Sequence, residues 1–193
     1  MTGRTHDTAA FTFLLAAVAF HPPGSLTTAT LLLAILANQI GGIAPDIDQP
    51  TAPLWRNLPV GGLFGRTIDR LLGGHRFITH SLLGVWALGW LANFLLHFFQ
   101  PVMPRVNITV VWWAFMLGVV SHLVMDSFTK EGVPWLLPIP VKFGIPPLKA
   151  LRVTTGHFWE NFVIFPALLV LNIIVCYGFY PTIATFIHSH VKQ

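Results

Sequence analysis

The chain has 193 residues, 54% of them hydrophobic and only 9% charged, with a mean hydropathy of +0.68. A soluble domain carries about 25% charged residues, so this composition excludes an ordinary soluble globule and points to one lipid-embedded domain spanning 1–193. The formal charge of +4 comes from too few groups to indicate nucleic-acid binding, and the single cysteine, Cys176, excludes both a disulfide framework and a thiolate metal motif.

Five apolar stretches follow in chain order, about 9–20, 26–43, 81–99, 108–125 and 162–180. A full crossing needs about 20 apolar residues, which the last four meet or nearly meet. The first is shorter. It has the length of a signal-peptide core and follows Arg4, yet Asp7 sits in its flank and Phe20-His21-Pro22-Pro23 replaces a small-residue cleavage site. It is read as a retained, short or partly re-entrant helix. The expected fold is therefore all-α: an integral membrane bundle of about five transmembrane or partly re-entrant helices with two long interfacial loops.

Five crossings place the N-terminal tip and the 44–80 and 126–160 loops on one side. Arg4, Arg56, Arg66, Arg70, Arg76, Lys130, Lys142, Lys149 and Arg152 lie there, against Arg105 and Lys192 opposite. The positive-inside rule makes that side cytoplasmic in a bacterial inner membrane. All seven acidic residues (Asp7, Asp46, Asp48, Asp69, Asp126, Glu131 and Glu160) and five histidines (His6, His75, His80, His122 and His157) share it. His21, His97, His188 and His190 fall opposite, as interfacial or tail residues.

The first loop carries a short amphipathic piece, with Leu63, Phe64, Ile68, Leu71 and Leu72 toward lipid and Arg66, Asp69 and Arg70 toward headgroups. The 132–150 loop holds Pro134, Pro138, Pro140, Pro146 and Pro147 and cannot form a regular helix. Its Trp135, Leu136, Leu137 and Phe143, beside Lys142 and Lys149, suit the interfacial belt.

Four motifs carry chemistry. Pro45-Asp46-Ile47-Asp48 closes the second apolar stretch, where two carboxylates repel unless a cation lies between them. The preceding Gly41-Gly42 permits close backbone approach. His75-Arg76-Phe77-Ile78-Thr79-His80-Ser81 opens the third; if helical, Arg76 and His80 are one turn apart, with Arg76 suited to a phosphate or a carboxylate. His122 and Asp126 are i and i+4 in an otherwise apolar stretch, a spacing that lets both hold one metal or one orient the other. Gly156-His157-Phe158-Trp159-Glu160 opens the last stretch, with Glu160 a ligand, a general base or a plain helix-end acid. Nitrogen and oxygen donors without sulfur suit zinc, manganese or ferrous iron, and the number of donors allows two ions.

Thr5-His6, Pro45-Asp46-Ile47-Asp48, His75-Arg76-x-x-Thr79-His80-Ser81, Ser121-His122-x-x-x-Asp126 and Gly132-Val133-x-Trp135, in this order, resemble the YdjM-like inner-membrane metal-dependent hydrolases of bacteria. The family is distantly similar to zinc-dependent phospholipase C and its nuclease relatives, whose zinc ions are held by scattered His and Asp, including His-x-x-x-Asp pairs. His122-x-x-x-Asp126 fits that pattern. A His-x-x-x-Glu pair is absent, since Gly156 precedes Glu160 by four and His157 by three.

The expectation is a metal-dependent hydrolase of a phosphoester in a lipid or lipid-linked substrate. One or two divalent ions, zinc foremost, are held by Asp46, His80, His122, Asp126 and His6, with Glu160, Arg76 and Asp48 in catalytic roles. Membrane lipids are the expected partners and nucleic acid is not. The alternatives are an ion-handling transporter and a structural membrane protein with a fold-stabilising metal. Against transport, residues 85–91, 115–119 and 167–171 in the middles of the apolar stretches contain nothing ionisable.

Overall fold

The computed structural model describes residues 1–24, 26–51, 55, 61–71, 76–139, 141–181, 184, 185 and 188. Helices dominate: α1 (Gly3–Phe20), α2 (Thr28–Ile43) continuing into a 3-10 turn (Ala44–Asp48), the short α3 (Gly61–Leu71), α4 (Leu82–Phe99), α5 (Ile108–Ser127) and α6 (Phe165–Gly178), which a π-type turn (Glu160–Ile164) precedes. Among the described residues the only extended pairings are two isolated bridges, Thr129 with Val153 and Val133 with Phe143.

The all-α membrane bundle is observed. Among the described residues four helical segments are long and apolar enough to cross a bilayer: Thr28–Asp48, Leu82–Val102, Ile108–Ser127 and Glu160–Gly178. They expose large apolar side chains, among them Leu36, Trp86, Phe94, Trp113 and Ile173, as spans bathed in lipid do. The first apolar stretch forms the 18-residue α1, which packs against α2, α5 and α6 and is not among those four. Start signals are local: Thr27, Ser81 and Asn107 accept hydrogen bonds from the amides of Thr30, Gly84 and Val110.

Small residues hold α1, α2 and α5 together. A Cβ on Gly118 would lie 2.1 Å from the Asn38 carbonyl oxygen, one on Gly41 2.1 Å from the Phe115 carbonyl oxygen, and one on Gly42 2.9 Å from Ala10 Cβ. The backbones meet directly, as lipid-embedded helices require when no hydrophobic gradient drives association. The buried Asn38 amide adds a bond to the Ala114 carbonyl at 3.1 Å. Gly118→Val is therefore expected to destabilise the protein by about 3 kcal/mol or more. Leu95→Ala, on the exposed face of α4, should change stability by no more than about 0.5 kcal/mol. Thermal unfolding in one detergent compares the two.

The loops depart from simple linkers. α3 presents Leu63 and Leu71 to the surface. The side chains of Phe64 and Ile68, and all of Leu72, lie outside what is described. In the proline-rich loop Leu136 and Phe143 are exposed, but Trp135 is not a belt residue. It packs on the Val119–Leu123–Val133 cluster, its indole N–H donates to Ser127 Oγ at 3.0 Å, and its carbonyl accepts the Leu82 amide at 3.0 Å. An indole that finds both an apolar niche and an acceptor inside the fold gains more than one left at the interface.

Candidate metal centre

The start of α1, the end of α2, the segment before α4 and the end of α5 converge at one end of the bundle. The i,i+4 spacing places His122 and Asp126 on one face of α5, with both side chains fully buried. His122 Nδ1 lies 2.6 Å from the Gly42 carbonyl oxygen. A carbonyl only accepts, so Nδ1 carries the proton and Nε2 presents its lone pair. The close α2–α5 approach that Gly41 and Gly118 permit is what brings this carbonyl within reach.

Around His122 Nε2 the distances are short. Asp46 Oδ1 is 3.4 Å away and Asp126 Oδ2 3.8 Å. His80 Nε2 is 3.7 Å from Asp46 Oδ1 and 3.6 Å from Asp126 Oδ2. His6 Nε2 is 3.3 Å from Asp126 Oδ1. Two groups of donors result, His6–His122–Asp126 and Asp46–His80–His122, each with its donor atoms within 4.8 Å of one another. The rings of His6 and His122 stack at 3.7 Å and 8°, and His80 meets His122 edge-on at 5.2 Å.

A divalent cation fits these residues. His122 Nε2 and His6 Nδ1 are buried without a hydrogen-bond partner, which is costly unless something electrophilic is supplied. Besides the imidazoles, two cationic groups lie against Asp126: the Met1 ammonium at Oδ1, and Arg76 Nη2 2.6 Å from Oδ2.

The 76–81 segment is a turn rather than a helix, and Arg76 has φ = +60°. That left-handed conformation is uncommon for arginine and costs about 1–3 kcal/mol. Asp48 enforces it. Its Oδ2 accepts from the Arg76 amide at 3.1 Å and from the Thr79 hydroxyl. Asp48 thus lies behind the donors, 3.8 Å from His80 Nδ1, and bears on the ring through Thr79, whose hydroxyl oxygen is 2.9 Å from that nitrogen. Burial alone would depress the pKa of His80, but the carboxylates of Asp126 and Asp48 outweigh it and raise it.

Two residues have other surroundings than the sequence led us to expect. Arg76 is 5% exposed and committed to Asp126, to Glu131 Oε2 at 3.2 Å and to Thr129 Oγ1 at 3.0 Å, so it is not waiting free for a phosphate. Glu160 belongs to neither donor group. Its Oε1 accepts from Thr2 N, Thr2 Oγ1 and Thr5 Oγ1 at 2.6–2.8 Å, and Oε2 from Gly156 N at 2.7 Å. A carboxylate so fully engaged with the N-terminal segment holds α1 in place, and with it His6, which the sequence alone did not reveal. His157 is exposed and outside both groups; His75 lies outside the described residues. Sequence reading missed Thr129, and named Thr79 only as part of its motif without a role, because a threonine carries no signal of what its hydroxyl will bond.

Fold and site together define a multi-pass membrane protein with His/Asp groups that could hold a metal ion at one end of its bundle. The profile described as "YdjM inner membrane protein" matches residues 1–187, and the chain belongs to that family. It is 28% identical over 180 residues to the uncharacterised protein YvsG of Bacillus subtilis (strain 168), covering 93% of this chain and 95% of that protein. It is 35% identical over 130 residues to the inner membrane protein YdjM of Escherichia coli (strain K12), covering 63% of this chain but only 56% of the relative, and equally to YdjM of Shigella flexneri. No solved structure matches.

Proposed function

We propose that the protein is a membrane-bound, metal-dependent hydrolase of a phosphoester in a lipid or lipid-linked substrate. The observation that carries this reading is the pair of three-donor groups sharing His122, buried at the end of the spans where a headgroup would arrive. Asp46, His80, His122, Asp126 and His6 hold one or two ions, zinc being the metal best matched to imidazole and carboxylate donors. A metal bound there would polarise a phosphoryl oxygen and lower the pKa of water.

The chain's own residues do the rest. Gly42 fixes the His122 tautomer. Asp48 and Thr79 hold the loop carrying His80. Glu160 fixes α1 and hence His6. Arg76 reaches the centre but is held by Asp126 and by Glu131, which is well exposed. A phosphate entering from the Glu131 side would exchange one oxyanion partner for another, which a guanidinium accepts without losing its fork geometry. The excess of basic residues flanking this end supports a cytoplasmic orientation.

The test is turnover of a phospholipid and phosphodiester panel by purified, reconstituted protein. Hydrolysis of at least one substrate is expected, abolished by chelator and restored by zinc or manganese. Stoichiometric metal without turnover across the panel would leave a fold-stabilising site instead.

A further inference from the structure

Two contiguous cavities lie beside the His/Asp centre and contain none of its donors. One, of about 500 Å³, opens at the level of the 128–159 loop and is lined by Lys130, Arg152, Thr154, His157, Phe158 and Trp159. The other, of about 370 Å³, runs from Val163 in the π-type turn along α6 past Ala167, Leu168 and Leu171, and is also lined by Met125 and Phe128. They share Leu151, Val153 and Ile164. Both volumes are in the range of small-molecule sites.

The chemistry divides along the membrane normal. The apolar cavity follows one face of the final span from Val163 to Leu171, about 12 Å of depth at 1.5 Å per residue. The upper cavity is bordered by exposed Phe158 and Trp159, the aromatic pair expected at headgroup level. Its charge is of one sign, since no carboxylate lines it. Among the described residues neither Lys130 nor Arg152 has an ion-pair partner. Arg152 instead donates to neutral carbonyls, from Nε to Pro146 at 2.8 Å and from Nη2 to Pro147 at 2.9 Å. Those bonds tuck the guanidinium against Gly144 in the adjoining 144–147 turn without cancelling its charge, so Lys130 is the cation left to the cavity.

We infer that this composite cavity binds one anionic phospholipid of the surrounding bilayer, its phosphate at Lys130 and an acyl chain against α6. Charge complementarity selects an anionic headgroup, and continuity with the lipid-facing side of α6 selects a chain still in the bilayer. The inference is independent of whether the His/Asp centre hydrolyses anything.

The protein is reconstituted with phosphatidylglycerol or phosphatidylcholine brominated near the headgroup, at equal mole fraction. Emission from Trp159 is taken as the difference between wild type and Trp159→Phe. Brominated phosphatidylglycerol should quench it more strongly, and Lys130→Gln should cut the preference about fivefold, the share of one surface cation. Lys130 is exposed, so this variant should keep its fold. Ala167→Phe, on an exposed position of α6, should displace the chain and weaken quenching by phosphatidylglycerol. Equal quenching by the two lipids, or a preference unchanged in Lys130→Gln, would overturn the site. Unchanged quenching in Ala167→Phe would overturn the placement of the chain.

Discussion

His122→Ala is expected to lower the divalent metal bound to detergent-purified protein to less than about a tenth of the wild-type content, since removing even a partner that only orients a ligand costs 10–100-fold in affinity. His122 is the residue common to both donor groups. Alanine leaves each group with two donors, fewer than the three protein ligands that open zinc sites retain. The effect on folding is smaller: the Gly42 carbonyl loses its donor and His6 its stacking partner, a cost of about 1–3 kcal/mol. Elemental analysis alongside thermal unfolding separates the two effects. A folded His122→Ala protein with wild-type metal content would remove the basis of the metal centre and of the hydrolase reading built on it.

The spans were legible because lipid demands a long apolar run, and that demand is written directly in composition. The His122–Asp126 pair was legible for a similar reason: two costly polar groups at helical spacing in an apolar stretch call for a partner. Gly41-Gly42 signalled a close approach, but not that the Gly42 carbonyl would fix the His122 tautomer, since that depends on the register of α2 against α5. Arg76 was harder. A basic residue before a span reads equally as an anchor, a phosphate ligand or a counter-ion, and only the fold brings Asp126 to its guanidinium and Asp48 to its amide. Glu160 misled because a carboxylate at a helix mouth advertises a charge and not its destination. Its partners, Thr2 and Thr5, are more than 150 positions away in sequence.

Asp126→Asn should destabilise the fold by about 3–5 kcal/mol, because removing one partner of a buried ion pair strands the other. Arg76 is 5% exposed, and its remaining carboxylate partner, Glu131, lies largely in solvent. Asparagine keeps the shape of Asp126 but sets an amide against the guanidinium and removes the charge facing His6 and His80. Stability lost through a stranded charge can be restored by deleting that charge. Adding Arg76→Asn should recover more than half of the loss, helped by asparagine's tolerance of the left-handed backbone at φ = +60°. Metal binding should stay lost in the double variant, since no donor has been returned. A double-mutant cycle of unfolding free energies, with metal content measured on each protein, resolves the two roles of Asp126. If the second substitution adds its own destabilisation instead, Arg76 is not held by Asp126 in the way the geometry requires. If metal returns with stability, the Asp126 carboxylate serves only the guanidinium, and the cation must be held by Asp46, His80 and His122 alone.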